Sequence, residues 1–187
     1  MNHQDLRSAV RAMKKASIFL AAGIVLASLA GCTSPSGDTP PVFSDREPKN
    51  LEARILIDMG ELHFADSAGV TGATFHVPAG KVVGIHVRNT GQIEHEIMFG
   101  RAVNEEGGAP DGYHESLFES VDADLFVFRP EKMEIETEGG LAEVELEPGA
   151  DVWIRATFPD DAKGTWEIGC FVSGHYEGGM KATLIIE

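Results

Sequence analysis

Apolar and polar positions alternate with a period of two over one short segment of the chain after another. "ARILIDM" (53–59), "TFHVPAG" (74–80), "KVVGIHVRN" (81–89) and "EHEIMFG" (94–100) alternate or are rich in β-branched residues. So do "LFVF" (125–128), "LAEVELEPG" (141–149), "DVWIRATF" (151–158), "GTWEIGCF" (164–171) and "KATLIIE" (181–187). Alternation sends successive side chains to opposite faces of a strand, one face into a core and one into water. Turn signals fall between the segments: Pro78-Ala79-Gly80, Asn89-Thr90-Gly91, Pro148-Gly149 and Pro159-Asp160-Asp161. Many short strands with regular punctuation predict an all-β, mainly antiparallel sandwich or barrel. Residues 101–124 break the pattern. They open with Gly107, Gly108 and Pro110, and then "YHESLFESV" (113–121) predicts a short helix burying Leu117, Phe118 and Val121. This region is expected to be a long excursion, a loop and short-helix insert between central strands.

The start of the chain is of another kind. Arg7, Arg11, Lys14 and Lys15 precede the apolar run "ASIFLAAGIVLASLAGC" (16–32). A basic stretch, an apolar stretch and small residues at its end read as an export signal over 1–31. The run is short for a membrane span. Its end, "LAGC" (29–32), resembles the lipobox of bacterial lipoproteins. That resemblance implies cleavage before Cys32, a diacylglycerol on its sulfur, and anchorage by acyl chains at about 0.8 kcal/mol per buried methylene. The plainer alternative is an uncleaved N-terminal anchor. Residues 33–50, "TSPSGDTPPVFSDREPKN", are rich in Pro, Ser and charge, so 32–50 is expected to be a lipidated Cys and flexible tether. One domain with its own core follows over 51–187. The expected location is extracytoplasmic, at a membrane.

Charge and cysteine count sharpen the picture. The signal contributes a net +3 to the chain's −15, leaving −18 from Cys32 onward. A surface this acidic argues against nucleic acid and against adhesion to anionic lipid; it favours solubility and encounters with a basic partner. There are two cysteines, Cys32 and Cys170. With Cys32 lipidated, Cys170 is a single thiol in an oxidising compartment, which requires that it be buried and inert, a nucleophile, or protected by a metal.

Cys170 sits in "GCFVSGHYEGGM" (169–180) with His175 and Met180, at the end of one expected strand and the start of the last. Gly174, Gly178 and Gly179 let the backbone turn tightly enough to aim all three side chains at one point. Thiolate, imidazole and thioether form a soft donor set that selects copper over magnesium or calcium. A trigonal site of two histidines and a cysteine, with a weak axial methionine, is the blue-copper arrangement, and it lacks one histidine here. His95, in "NTGQIEHEIMFG" (89–100), is the candidate.

"FHVPAGKVVGIHVRNTGQIEHEIMFG" (75–100) resembles the first half of a cupredoxin, and "GTWEIGCFVSGHYEGGMKATLIIE" (164–187) resembles the second. The order of the two stretches is that of the family. The resemblance implies a Greek-key β-sandwich like that of plastocyanin and azurin. It implies one mononuclear type 1 copper held by His95, Cys170, His175 and Met180, with His175 near the surface as the electron exit. The chain departs from the better-known members in three places. Glu96 stands where an Asn often braces the loop next to the Cys, Phe171 follows the Cys, and residues 101–124 are inserted.

Other chemistries fit the loop less well. A Cys–His nucleophilic pair needs an orienting group and an oxyanion pocket, and leaves Met180 without a role. Zinc accepts Cys and His, but a thioether suits it poorly. A binuclear copper centre needs two cysteines on this loop. Simple core packing of Cys170 and Met180, with His175 solvated, is the plainest alternative. Four protein ligands leave no open position for a substrate, which favours an electron carrier over an enzyme. Its expected partners are redox proteins, a basic cytochrome or an oxidase, with neither nucleic acid nor a small-molecule substrate. Copper capture or delivery on the same site is the alternative function, and a module holding no metal is a third. Glu94, Glu96 and Glu177 flank the histidines; if close in space they favour Cu(II) and lower the potential. His76 and His86 are expected at surface or edge positions, His63 after a Gly-Glu-Leu turn without a partner, His114 solvated in the insert, and Met98, Trp153 and Trp166 in the core.

Overall fold

The computed structural model describes residues 47–137 and 139–187. The expected signal peptide, Cys32 and most of the tether lie outside the described residues. The strands are β1 (Ala53–Gly60), β2 (His63–Ala65), β3 (Thr74–Val77), β4 (Val82–Asn89), β5 (His95–Glu106) and β6 (Ala109–Ser116). They continue as β7 (Ala123–Val127), β8 (Met133–Glu136), β9 (Glu143–Leu146), β10 (Asp151–Thr157), β11 (Gly164–Gly169) and β12 (Lys181–Ile186). One sheet runs β2-β1-β4-β10-β7; the other runs β3-β12-β11-β5-β9-β8, with β6 added on β5. The pairs β1–β4 and β3–β12 are parallel, and the rest are antiparallel. Among the described residues no helix is long and apolar enough to cross a membrane.

The period-two pattern does what it predicts. In β4, Val83, Ile85 and Val87 are buried in the core, while His86 and Arg88 on the other face are not fully buried. Ile85 pairs with Ile55 of β1 on one side and Ile154 of β10 on the other, so a single row of branched side chains crosses the sheet. Ile97, Phe99, Ile168 and Leu184 face it from the second sheet, and Phe118 and Phe158 fill the space between. Each such side chain, removed from water, contributes about 1.5–3 kcal/mol.

The insert differs from expectation. Residues 101–116 form no helix; they complete a hairpin in which β5 runs on and β6 returns along it, from Gly100↔Ser116 to Glu106↔Ala109. Gly107 and Gly108 both have positive φ, +62° and +87°, which a two-residue turn matched to strand twist requires. This Gly-Gly pair was the available hairpin signal. The expected helix shrinks to one 3-10 turn, Leu117–Glu119, but Leu117, Phe118 and Val121 are buried as expected. β6 shows little apolar alternation: it is a strand added on β5, and all but one of its residues are exposed or half-buried. Tyr113 lies across glycines: a Cβ on Gly100 would sit 2.4 Å from its ring, and one on Gly169 would sit 2.5 Å from its hydroxyl. Met98 is buried against this hairpin. Trp153 is buried too, stacked at 4.3 Å on His86, whose Nε2 lies 3.1 Å from Asp151.

Candidate metal centre

The candidate donors come from two places at one end of the sandwich. His95 opens β5, immediately after the turn that follows β4. Cys170, His175 and Met180 lie on the connection from β11 to β12. That connection is closed by its own backbone. The N–H of His175 donates to Val172, those of Gly178 and Gly179 to Gly174 and Tyr176, and that of Met180 to His175 (2.8–3.0 Å). The Cys170 N–H donates to the Met180 carbonyl at 3.2 Å, pinning the two ends of the loop together. Gly174 and Gly179, at φ +83° and +98°, take up the turns.

Asn89 holds the other segment. Its side chain is 1% exposed and makes hydrogen bonds from both ends. Nδ2 donates to the carbonyls of Ile93 (2.8 Å) and Leu146 (2.7 Å), and Oδ1 accepts the N–H of Gly91 (2.9 Å). Leu146 is the β9 residue opposite His95. One buried amide therefore fixes the turn leading into His95 and ties it to the neighbouring strand. In the sequence, Asn89 signals a turn at the end of a strand.

His95 Nδ1 lies 3.3 Å from His175 Nδ1, which lies 3.3 Å from Cys170 Sγ. All three donor atoms fall within 4.8 Å of one another. The three side chains are buried, His95 at 0%, Cys170 at 0% and His175 at 8% exposure, so His175 is the histidine that retains some surface. Two Nδ1 atoms facing each other share at most one proton between them. Nitrogen and sulfur donors this far apart suit a single ion, given bonds of about 2.0–2.3 Å to a first-row metal. Met180 is fully buried, and its backbone closes the loop. The set of residues therefore fits a copper ion.

Burial governs protonation here. Desolvation first, then the neighbouring imidazole, holds His95 below the ordinary histidine range; desolvation does the same for His175. Burial pushes the Cys170 thiol up to about 12. The N–H groups of Glu96 and Val172 aim at the sulfur and pull the other way, while the charges of Glu96 and Glu143 add to the rise. Two pH effects follow. The folded thiol has a pKa above its unfolded value of about 8.5, so its contribution to the stability of the metal-free protein is complete below that value. It is lost as pH rises towards about 12. A metal needs the thiolate, so uptake displaces this proton while the imidazoles are already neutral, and the apparent affinity should climb about tenfold per pH unit between pH 7 and 9. Competition titration with a chromophoric Cu(I) chelator measures that slope; a flat profile would contradict the buried thiol.

Glu96 replaces the expected Asn brace with a different one. Its carboxylate accepts the Phe171 N–H at 2.7 Å, while its own N–H serves the Cys170 sulfur. Glu96 is buried at 3% exposure; Glu94 and Glu177 are exposed, so of the three flanking acids only Glu96 reaches into the site. Phe171 is stacked on Tyr176 at 4.8 Å and edge-on to Tyr113 at 5.0 Å. The chain has two tyrosines, and both hydroxyls donate to the same oxygen of Glu167, at 3.1 and 2.7 Å. His76 and His114 are not part of the donor cluster, nor is His63, although its charge reaches His95. His63 Nδ1 lies 2.8 Å from the Glu61 carbonyl, His76 faces Glu187, and His114 is exposed.

A β-sandwich with a parallel pair in each sheet, and a His-Cys-His convergence at one end, is consistent with a blue-copper protein of the cupredoxin kind. No protein-family model matches the chain, and no curated protein matches it. Among solved structures it is similar to dithionite-reduced auracyanin from the photosynthetic bacterium Roseiflexus castenholzii. That likeness has 20% identity, covers 72% of this chain and 96% of that one, and has a TM-score of 0.44. Rusticyanin from Thiobacillus ferrooxidans is 14% identical over 72% of this chain and 76% of its own, at a TM-score of 0.43. A multicopper oxidase from Campylobacter jejuni is 12% identical over 76% of this chain but 31% of its own, at a TM-score of 0.46. Identities this low do not carry the activities or partners of those proteins over to this chain.

Proposed function

We propose that this chain is a type 1 copper protein that carries one electron at a time between redox partners outside the cytoplasm, tethered to a membrane by lipid on Cys32. The observation that carries the reading is the meeting of three buried donors, His95, Cys170 and His175, the two histidines being 80 residues apart in sequence. Copper bound there supplies a one-electron couple whose potential depends on its donors and their surroundings. Cys170 provides the soft anionic donor, the two imidazoles the neutral ones, and Met180 the thioether. The strand ends, the closed loop and the Asn89 and Glu96 hydrogen bonds hold these donors in place without metal, which favours a small rearrangement on electron transfer. His175 keeps a fraction of exposed surface, and Leu62 and Ile93, at 41% and 45% exposure, stand close to the donor loops as apolar contacts for a transient partner.

The test is purification of the full-length protein from membranes. Expected results are one copper per chain, intense thiolate-to-copper absorption, and reversible reduction without copper loss. Colourless protein that takes up no copper would reject the reading. Ready transfer of copper to an acceptor apoprotein would replace electron transfer with delivery. Mass spectrometry of the N-terminal peptide should find a diacylglyceryl group on Cys32; an unmodified, uncleaved N-terminus would reject the lipid and leave the uncleaved N-terminal anchor in its place.

A further inference from the structure

The two-residue turn between β1 and β2 points a carboxylate at the back of His95. Gly60 pairs with His63, leaving Glu61 and Leu62 as the turn, with Leu62 at φ +57°. His63 Nδ1 lies 2.8 Å from the Glu61 carbonyl and fixes the turn. One Glu61 carboxylate oxygen accepts the N–H of Gln92. The other lies 4.0 Å from His95 Nε2. That nitrogen is buried and has no hydrogen-bond partner. Gly91 leaves the gap open: a Cβ there would sit 2.9 Å from both Glu61 Oε1 and His95 Nε2, wedged between them.

We propose that Glu61 is a positioning residue for the metal centre, the outer member of a carboxylate–imidazole–metal triad through His95. This rests on the copper reading above. Nδ1 of His95 faces Cys170 and His175, so with a metal on Nδ1 the ring proton must sit on Nε2. A buried N–H then needs an acceptor, and the Glu61 carboxylate is placed to become one. Such partners fix the tautomer and ring orientation of a ligating histidine and make it a stronger donor. The negative charge favours the oxidised ion over the reduced one, so this turn holds the potential down.

The experiment compares wild type with E61Q, E61A and G91A, each copper-loaded. It reads the reduction potential, and the exchange of the His95 Nε2 proton by NMR in the diamagnetic Cu(I) form. Glutamine keeps an acceptor and removes the charge, so E61Q should retain slow proton exchange while the preference for Cu(II) falls about tenfold, a rise of about 59 mV. E61A should show the same rise, with proton exchange at least about tenfold faster. G91A keeps the charge but inserts a methyl, and should speed exchange without loss of the thiolate absorption. A purely structural turn residue would not separate potential from exchange in this way. Unchanged potential in copper-loaded E61Q and E61A would overturn the role of Glu61 and leave the copper reading standing. Failure of wild type to bind copper would overturn the copper reading and this inference with it.

Discussion

Cys170→Ser is expected to leave a folded, colourless protein. A serine hydroxyl does not ionise in this pH range and is a hard donor, so the strong thiolate-to-copper transition should vanish completely. Copper affinity should fall by more than about 100-fold, beyond the 10–100-fold typical of losing an outer partner. The fold should hardly notice. The sulfur occupies a small, fully buried position with His175 Nδ1 at 3.3 Å, a partner that a hydroxyl can also use. Metal-free stability should change by about 1 kcal/mol, the centre of the usual range for point mutants. Absorption spectroscopy, metal titration and urea unfolding of the same preparation separate the two effects. Retained colour would mean that the strong donor is some other group.

Asn89→Ala should do the reverse, striking the fold first and the site through it. The side chain joins three backbone groups; alanine leaves the carbonyls of Ile93 and Leu146 without it, while the N–H of Gly91 keeps the Met59 carbonyl at 3.2 Å. Carbonyls cannot donate, so the amide orientation is forced: Nδ2 must face both of them. Each buried polar group left alone costs about 1–3 kcal/mol, part of it recovered where water enters, so a total near 3 kcal/mol is expected. For a domain of this size that lowers Tm by roughly 10 °C. Aspartate should be no rescue, since it keeps the Gly91 acceptor but sets a carboxylate against two carbonyls. Because the same contacts set the turn into His95, copper affinity should fall as well. Thermal unfolding within a degree or two of wild type would show that Asn89 is no keystone.

The fold was legible wherever a strand buries one face and wets the other. β1, β4, β10 and β12 announce themselves because Ile, Val and Leu recur at every second residue. β2 is three residues long, too short for a period, and β8 is an edge strand of four residues, whose Met-Glu-Ile-Glu alternation is too brief to stand out. β6 was hidden for a different reason: its role is to lay Tyr113 across Gly100 and Gly169, and such covering leaves no apolar rhythm. The donor loop was legible because cysteine, histidine and methionine carry their chemistry whatever the backbone does. His95 needed the family pattern, since nothing in its local sequence distinguishes it from His86, which stacks on a tryptophan instead. Glu96 stands out only as a departure from the family's Asn brace, and Glu61 reads as an ordinary surface acid. Only the folded chain reveals that one is buried against the Phe171 N–H and that the other leans towards an imidazole from a turn thirty-odd residues upstream.

The hairpin made by β5 and β6 bears on access to the site. Tyr113, Phe171 and Tyr176 close the flank beside Cys170, and Glu167 latches both phenols in place. A partner of the proposed kind would meet the rim around His175, the one donor that keeps some exposed surface. Electron transfer of the proposed kind would then run through that one rim, with donor and acceptor taking turns at it.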